Sequence, residues 1–410
     1  MEESRDPVHG LGGLSSNPTM SAAACAEPGE AIHVLTLTPF YPVQDDDAQG
    51  CFVSEALLRT EALGVENTVL AVQPAYRRFA GANDAAFPAD WSHFLALPGY
   101  LGLPSAGAFL YATLLPKVRR LHHSKPVHMI HAHAALPCGH AAGLLSQELG
   151  IPFVVTVHGL DAFSIDQANS YIRPWLRRMS QWVYRRASRV LCISEKVRDQ
   201  VTQGVSQVQA SVVYNGTDSK MFSPSSVVAS RPIILSVGNL IPIKGHESLL
   251  RAFAGLCSDF PDLSCELIGE GPERSRLTTV AAKLSIADRV RFLGRQSREQ
   301  VADAMRRCAV FALPSRYEGL GCVYLEAMCA GKPVIACRGQ GIEEIIEHGI
   351  NGWLVGANDP EELKDALFRL LRNAQLCRQI GEAAHRTIVQ RFTLEHQADR
   401  LVQLYRECLV

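Results

Sequence analysis

Two glutamates, Glu318 and Glu326, are separated by seven residues within PSRYEGLGCVYLEAMCAGKPVIA. An apolar run from Val310 to Leu313 breaks there into a polar turn holding Glu318, Gly319, Leu320 and Gly321. An Ala/Leu/Met-rich segment with Glu326 in its early turns follows, so the pattern predicts a strand, a loop and a helix in succession. The start of such a helix exposes backbone N–H groups at which an anionic phosphate can sit. Carboxylates do not bind phosphate; hydroxyls are their natural targets. A ligand with a diphosphate in the middle and polyols on both sides, such as a nucleotide-sugar, fits that arrangement. Upstream, the segment SVGNLIPIKG puts Lys244 on a loop directly after a strand, where it can neutralise a departing diphosphate. His158 closes the apolar run V-V-T-V-H and is followed by Gly159 and Asp161, while His131 and His133 close the run before it. For the lysine an exposed surface role is the competing reading, and for each histidine a hydrogen-bonded structural one.

These residues need strands to carry them, and the sequence supplies two series. Short apolar runs at residues 31–37, 67–72, 127–131, 152–158 and 189–194 read as strands. Helical patterns at 53–63 and 138–149 lie among them. A second series runs through 232–238, 264–269, 290–293, 309–313 and 333–336. Strands alternating with amphipathic helices predict parallel βαβ units with both sheet faces covered. The chain is expected to divide into a disordered tail (1–29), a first domain (30–222), a Pro/Ser-rich linker (223–230), a second domain (231–385) and a C-terminal helix (386–410) that returns to the first domain. At 410 residues two domains are the natural count.

A net charge of −1 argues against nucleic acid as a partner. Twelve scattered cysteines, without metal-site spacing, read as reduced core residues. The N-terminal stretch lacks a basic region followed by an apolar one, and no run approaches the roughly 18 apolar residues of a membrane span. A cytoplasmic location follows from these expectations.

The E-x7-E segment and the VGN…KG segment closely resemble the group 1 (family 4) retaining glycosyltransferases over residues 31 to about 400. That resemblance implies an α/β protein of the GT-B class, with two doubly wound Rossmann-like domains facing across a cleft. It implies a UDP- or GDP-sugar donor and a saccharide or lipid-linked acceptor, with no cofactor and no required metal. Glu326 would then hold the ribose hydroxyls, Glu318 the donor sugar and Lys244 the diphosphate. His158 would orient the sugar or stabilise developing positive charge, and H-G-x-D (His158 to Asp161) resembles the family's acceptor-side motif, with His133 alongside. Where the family usually carries Arg this chain has Asn239, and Arg316 is the candidate replacement. Gly50 stands where the family shows paired glycines near the donor phosphate. Glu270, in G-E-G-P-E, resembles its nucleotide-side loop, and Arg295 is a candidate to frame the base. Asp45-Asp46-Asp47 reads as a solvated loop run. The string from Glu318 to Val355 looks most like enzymes of surface-polysaccharide synthesis, the teichuronic-acid type among them. A sugar-nucleotide epimerase and an inactive regulatory relative are the alternatives.

One stretch falls outside that scheme. Arg173, Arg177, Arg178, Arg185, Arg186 and Arg189 occur without an intervening acid, and Trp175, Met179, Trp182 and Val183 recur among them at helical spacing. Contact with anionic lipid at the inner face of the plasma membrane is one reading. A solvated face over a packed Trp stripe is the other.

Overall fold

The computed structural model describes residues 31–44, 46–77, 87–159, 168–205, 207–225 and 231–409. The tail, Asp45, Asp161 and most of the linker lie outside them.

Among the described residues the first sheet has seven parallel strands: β1 (Ile32–Thr38), β2 (Val65–Pro74), β3 (Asp90–Phe94), β4 (Met129–His133), β5 (Phe153–Val157), β6 (Arg189–Cys192) and β7 (Ala210–Val212). Their order is β3-β2-β1-β4-β5-β6-β7. The helices of this half are α1 (Cys51–Glu61), α2 (Leu103–Ser124), α3 (His140–Leu149), α4 (Arg173–Arg186) and α5 (Glu195–Thr202). Every residue of β1 is buried, as expected of a strand covered on both faces.

The second sheet holds β8 (Ile233–Val237), β9 (Ser264–Ile268), β10 (Val290–Gly294), β11 (Val310–Ala312), β12 (Val334–Cys337) and β13 (Trp353–Val355), in the order β10-β9-β8-β11-β12-β13. Around it lie α6 (His246–Ala254), α7 (Arg274–Lys283), α8 (Arg298–Arg307), α9 (Cys322–Cys329), α10 (Pro360–Arg372) and α11 (Ala374–Arg391). Both halves are doubly wound. The strand order reverses between β1 and β4 in one and between β8 and β11 in the other, and ligands of such sheets bind at those switch points. β3, β7 and β13 are sheet edges that escape the sequence reading: β3 and β7 are short, partly solvated and lack a sustained apolar run, and β13, though apolar, is only three residues long.

The chain crosses between the halves twice, side by side. Thr217 N–H donates to the Phe392 carbonyl (3.1 Å) and Leu394 N–H donates to the Thr217 carbonyl (3.1 Å). A Cβ on Gly216 would lie 2.3 Å from the Thr393 oxygen, so glycine is required there. The expected boundary at residue 385 falls inside α11, which continues to Arg391; the last helix, α12, spans Leu394–Leu409. Its Leu401, Val402, Leu404 and Tyr405 pack on Ile32, Val34, Met129 and Val154 of the first sheet.

Candidate functional site

Most of the sequence-selected residues lie on the loops that leave the switch-point strands. After β8 the chain makes a 3-10 turn over Pro242–Lys244 and enters the left-handed region at Gly245 (φ 73°), where a Cβ would meet the Pro314 carbonyl oxygen at 2.1 Å. The loop after β11 is therefore pressed against the loop after β8, and Arg316 N–H donates to the Ile243 carbonyl (2.8 Å). This packing brings Lys244 Nζ onto Glu318 Oε1 as an ion pair, with side chains only 13% and 8% exposed. Ser315 Oγ donates to the same carboxylate oxygen at 3.1 Å, and the Glu318 N–H donates to Gln340 Oε1 at 3.0 Å. Gly321 (φ 86°) opens α9 without a side-chain cap, leaving the first N–H groups of that helix for an anion.

His158 faces this loop from the other domain. Gly159 (φ 90°) approaches so closely that a Cβ on it would lie 2.8 Å from Gly319 Cα. Ser194 Oγ donates to the Gly319 carbonyl at 2.6 Å. The His158 ring packs against Phe52 and Phe40 (centroids 4.8 and 5.4 Å) and stacks on His133, with its Nε2 3.0 Å from His133 Nδ1. His133 stacks in turn on His131, whose nitrogens meet Tyr405 Oη at 2.6 Å and Thr156 Oγ1 at 2.7 Å. Burial lowers all three histidines, His131 and His158 to about 3 and His133 well below its usual value. A neutral His158 offers a hydrogen bond rather than a positive charge at neutral pH.

Other expected residues lie at the rim. Asn239 and Glu270 are exposed, and Glu270 pairs with Arg274 (3.1 Å). Arg316 is exposed and donates to the Pro242 carbonyl (3.1 Å), so in this state its guanidinium does not stand in for a cation at position 239. Arg295 pairs with Asp46 at 2.6 Å, which corrects the solvated reading of that run: the Asp46 side chain is only 10% exposed and bridges the two domains. Asp47 accepts from the Arg298 N–H at 3.1 Å. Gly50 (φ 70°) is accounted for by its own chain, since a Cβ would lie 2.3 Å from the Phe40 carbonyl carbon. Trp175 is exposed, so the buried stripe of α4 is Leu176, Ser180, Val183 and Tyr184 rather than one led by tryptophan.

Glu326 is buried and paired with Arg298 Nη1, a partner the sequence reading missed. Arg298 opens α8 inside a Ser297/Gln300 capping box, and nothing local distinguishes it from a surface arginine. Also missed was Glu344, which accepts from the Glu195 and Lys196 N–H groups (2.8 Å each) and from Tyr214 Oη (2.9 Å) across the domains.

Against known proteins, the profile described as "Glycosyl transferases group 1" matches residues 219–387 and that of "Glycosyltransferase Family 4" matches residues 52–220. An uncharacterised glycosyltransferase of Methanocaldococcus jannaschii is 31% identical over 259 residues, 63% of this chain and 70% of that one. A D-inositol 3-phosphate glycosyltransferase of Nocardiopsis dassonvillei is 30% identical over 312 residues, 68% of this chain and 70% of that one. Sucrose-phosphate synthase from Thermosynechococcus elongatus superposes with a TM-score of 0.76 at 21% identity, covering 92% of this chain and 98% of that one. HepE of Anabaena, solved with UDP-glucose, superposes at 0.73 and 21% identity, covering 92% and 100%. These solved structures share the GT-B fold with this chain.

Proposed function

The chain belongs to the group 1 glycosyltransferases, and on that premise we propose that it is a retaining enzyme transferring a sugar from a nucleotide-diphosphate donor to a saccharide or lipid-linked acceptor in surface-polysaccharide synthesis. The observation that carries this reading is the Lys244–Glu318 pair beside the open N-terminus of α9, opposite His158. The donor diphosphate lies at the α9 N–H groups, and Lys244 turns toward it as charge builds on the leaving phosphate. Glu318, freed from the lysine, accepts from the sugar hydroxyls, and Glu326 accepts from the ribose. His158 hydrogen-bonds the sugar in its neutral form. Retention proceeds on the front face, the leaving phosphate taking the acceptor proton, without a metal. That HepE holds UDP-glucose supports a uridine donor.

Location is part of the same reading. On α4 and just before it, Tyr171 is 94% and Trp175 51% exposed, beside exposed Arg177, Arg178 and Arg185. Aromatic and basic groups side by side suit the face of an anionic bilayer, where a lipid-linked acceptor is held. No helix among the described residues is long and apolar enough to cross a membrane.

A panel of UDP-, GDP- and ADP-sugars read by thermal shift identifies the donor, and NMR of the product from a soluble acceptor analogue gives the anomeric outcome. An inverted product rules out the retaining mechanism. Activity that disappears with EDTA and returns with magnesium or manganese overturns the metal-free one.

A further inference from the structure

Arg298 is buried at the seam between the domains and touches both of them. Its Nη1 holds Glu326 Oε1, while its Nη2 holds Glu55 of α1 at 2.8 Å (Oε1) and 3.1 Å (Oε2). Its own N–H is received by Asp47 of the first domain, and its guanidinium lies 4.9 Å over the ring of Phe222, just before the linker. Burial holds the Glu55 carboxyl above its usual range, against the opposing pull of Arg298. A seam of this kind is an expensive way to gain stability, because well-packed apolar side chains would close it at lower cost. The guanidinium, moreover, leaves its Nε buried without a partner. The charges make sense if one of these carboxylates must be held for a ligand.

We propose that Arg298 is a positioning residue for the nucleotide: it fixes the Glu326 carboxylate for the ribose, and through Glu55 it makes that fix depend on α1 being seated against the second domain. This rests on the reading that Glu326 receives the ribose hydroxyls. One carboxylate oxygen is taken by the arginine, and the other is offered to the sugar ring. When the domains part, Arg298 loses Glu55 and the Asp47 contact and is free to swing, so Glu326 loses its fixed rotamer. Ribose recognition and domain closure are then one event. The 2′-hydroxyl of the nucleotide is read by a pair assembled from both halves of the chain.

Calorimetry with UDP and 2′-deoxy-UDP on the full chain tests this, with the guanosine pair used instead if GDP binds more tightly. Wild type should prefer the ribonucleotide by at least about tenfold, the scale of a single hydrogen bond from a hydroxyl to a charged carboxylate. Glu326→Gln should abolish most of that ratio. Arg298→Gln should lower it at least about threefold, and Glu55→Gln, which leaves the buried Arg298–Glu326 pair intact and protects the fold, should lower it too while 2′-deoxy-UDP affinity stays as in wild type. If Glu326→Gln removes the preference but folded Glu55→Gln and Arg298→Gln keep the wild-type ratio, the positioning role is overturned and the ribose reading stands. If Glu326→Gln also keeps the ratio, both fall.

Discussion

Replacing Lys244 separates a structural charge from a catalytic one. In Lys244→Met the Glu318 carboxylate stays buried and keeps only Ser315 Oγ, at 3.1 Å, of its two side-chain partners. Breaking a buried pair by removing one member costs about 3–5 kcal/mol. A domain near the middle of the ordinary range, about 10 kcal/mol, stays folded after that loss at 25 °C. Activity measured on folded protein therefore reports the chemistry. Loss of the cation that meets the departing diphosphate should lower kcat/KM by about 100- to 1000-fold. The double variant Lys244→Met/Glu318→Gln removes both charges, so its urea midpoint should return most of the way to wild type while its kcat/KM stays low. Nucleotide release with the preferred donor gives the rate, and urea unfolding followed by far-UV circular dichroism gives the stability. A Lys244→Met kcat/KM within about threefold of wild type, or a double variant that recovers activity together with stability, would show that Lys244 does not stabilise the departing diphosphate.

Acid should weaken the first domain through its histidine stack. The folded values lie below the ordinary 6.5, so the native state binds fewer protons; stability is complete above pH 6.5 and falls as pH drops toward about 3, by up to about 1.4 kcal/mol per pH unit for each histidine. His131→Phe should flatten that slope in urea midpoints taken between pH 7 and 4, and an unchanged slope would contradict the assignment. Glu344→Gln takes the charge from the start of α5 and should cost about 1–2 kcal/mol. Small-angle scattering should then show a larger radius of gyration; an unchanged radius would mean that Glu344 does not hold the domains together. Wild-type protein should sediment with anionic vesicles in low salt. Replacing Arg177, Arg178, Arg185 and Arg186 by glutamine should release it, and equal binding to neutral vesicles would remove the membrane reading.

The sequence shows best what is repeated locally. β1, β5, β8 and β11 are legible because a strand covered on both faces is a nearly continuous apolar, β-branched run, and the turn after β11 is legible because glutamates and glycines interrupt that pattern. What it hides is long-range. Arg298, at the first position of an amphipathic helix, looks solvated until Glu55, 243 residues earlier, is brought against it. Asp46 and Asp47 look like a charged loop for the same reason, since the arginine that pairs with one and the backbone amide that donates to the other lie in the other domain. Asn239 shows the opposite limit. Its departure from the family is plain in sequence, but only the structure shows Arg316 turned to Pro242 instead of filling the gap.

The placement of α12 bears on how the protein is made. Residues 394–409 form one wall of the first domain, yet they leave the ribosome after the whole of the second. Until then Ile32, Val34 and Met129 present an uncovered apolar face, so the domain begun first is completed last. A fragment ending near residue 222 would lack that wall and expose the same face to aggregation. Fusing residues 394–409 to such a fragment by a short flexible bridge should restore its solubility, and a circularly permuted chain that starts at the linker would let the first domain form as one continuous stretch.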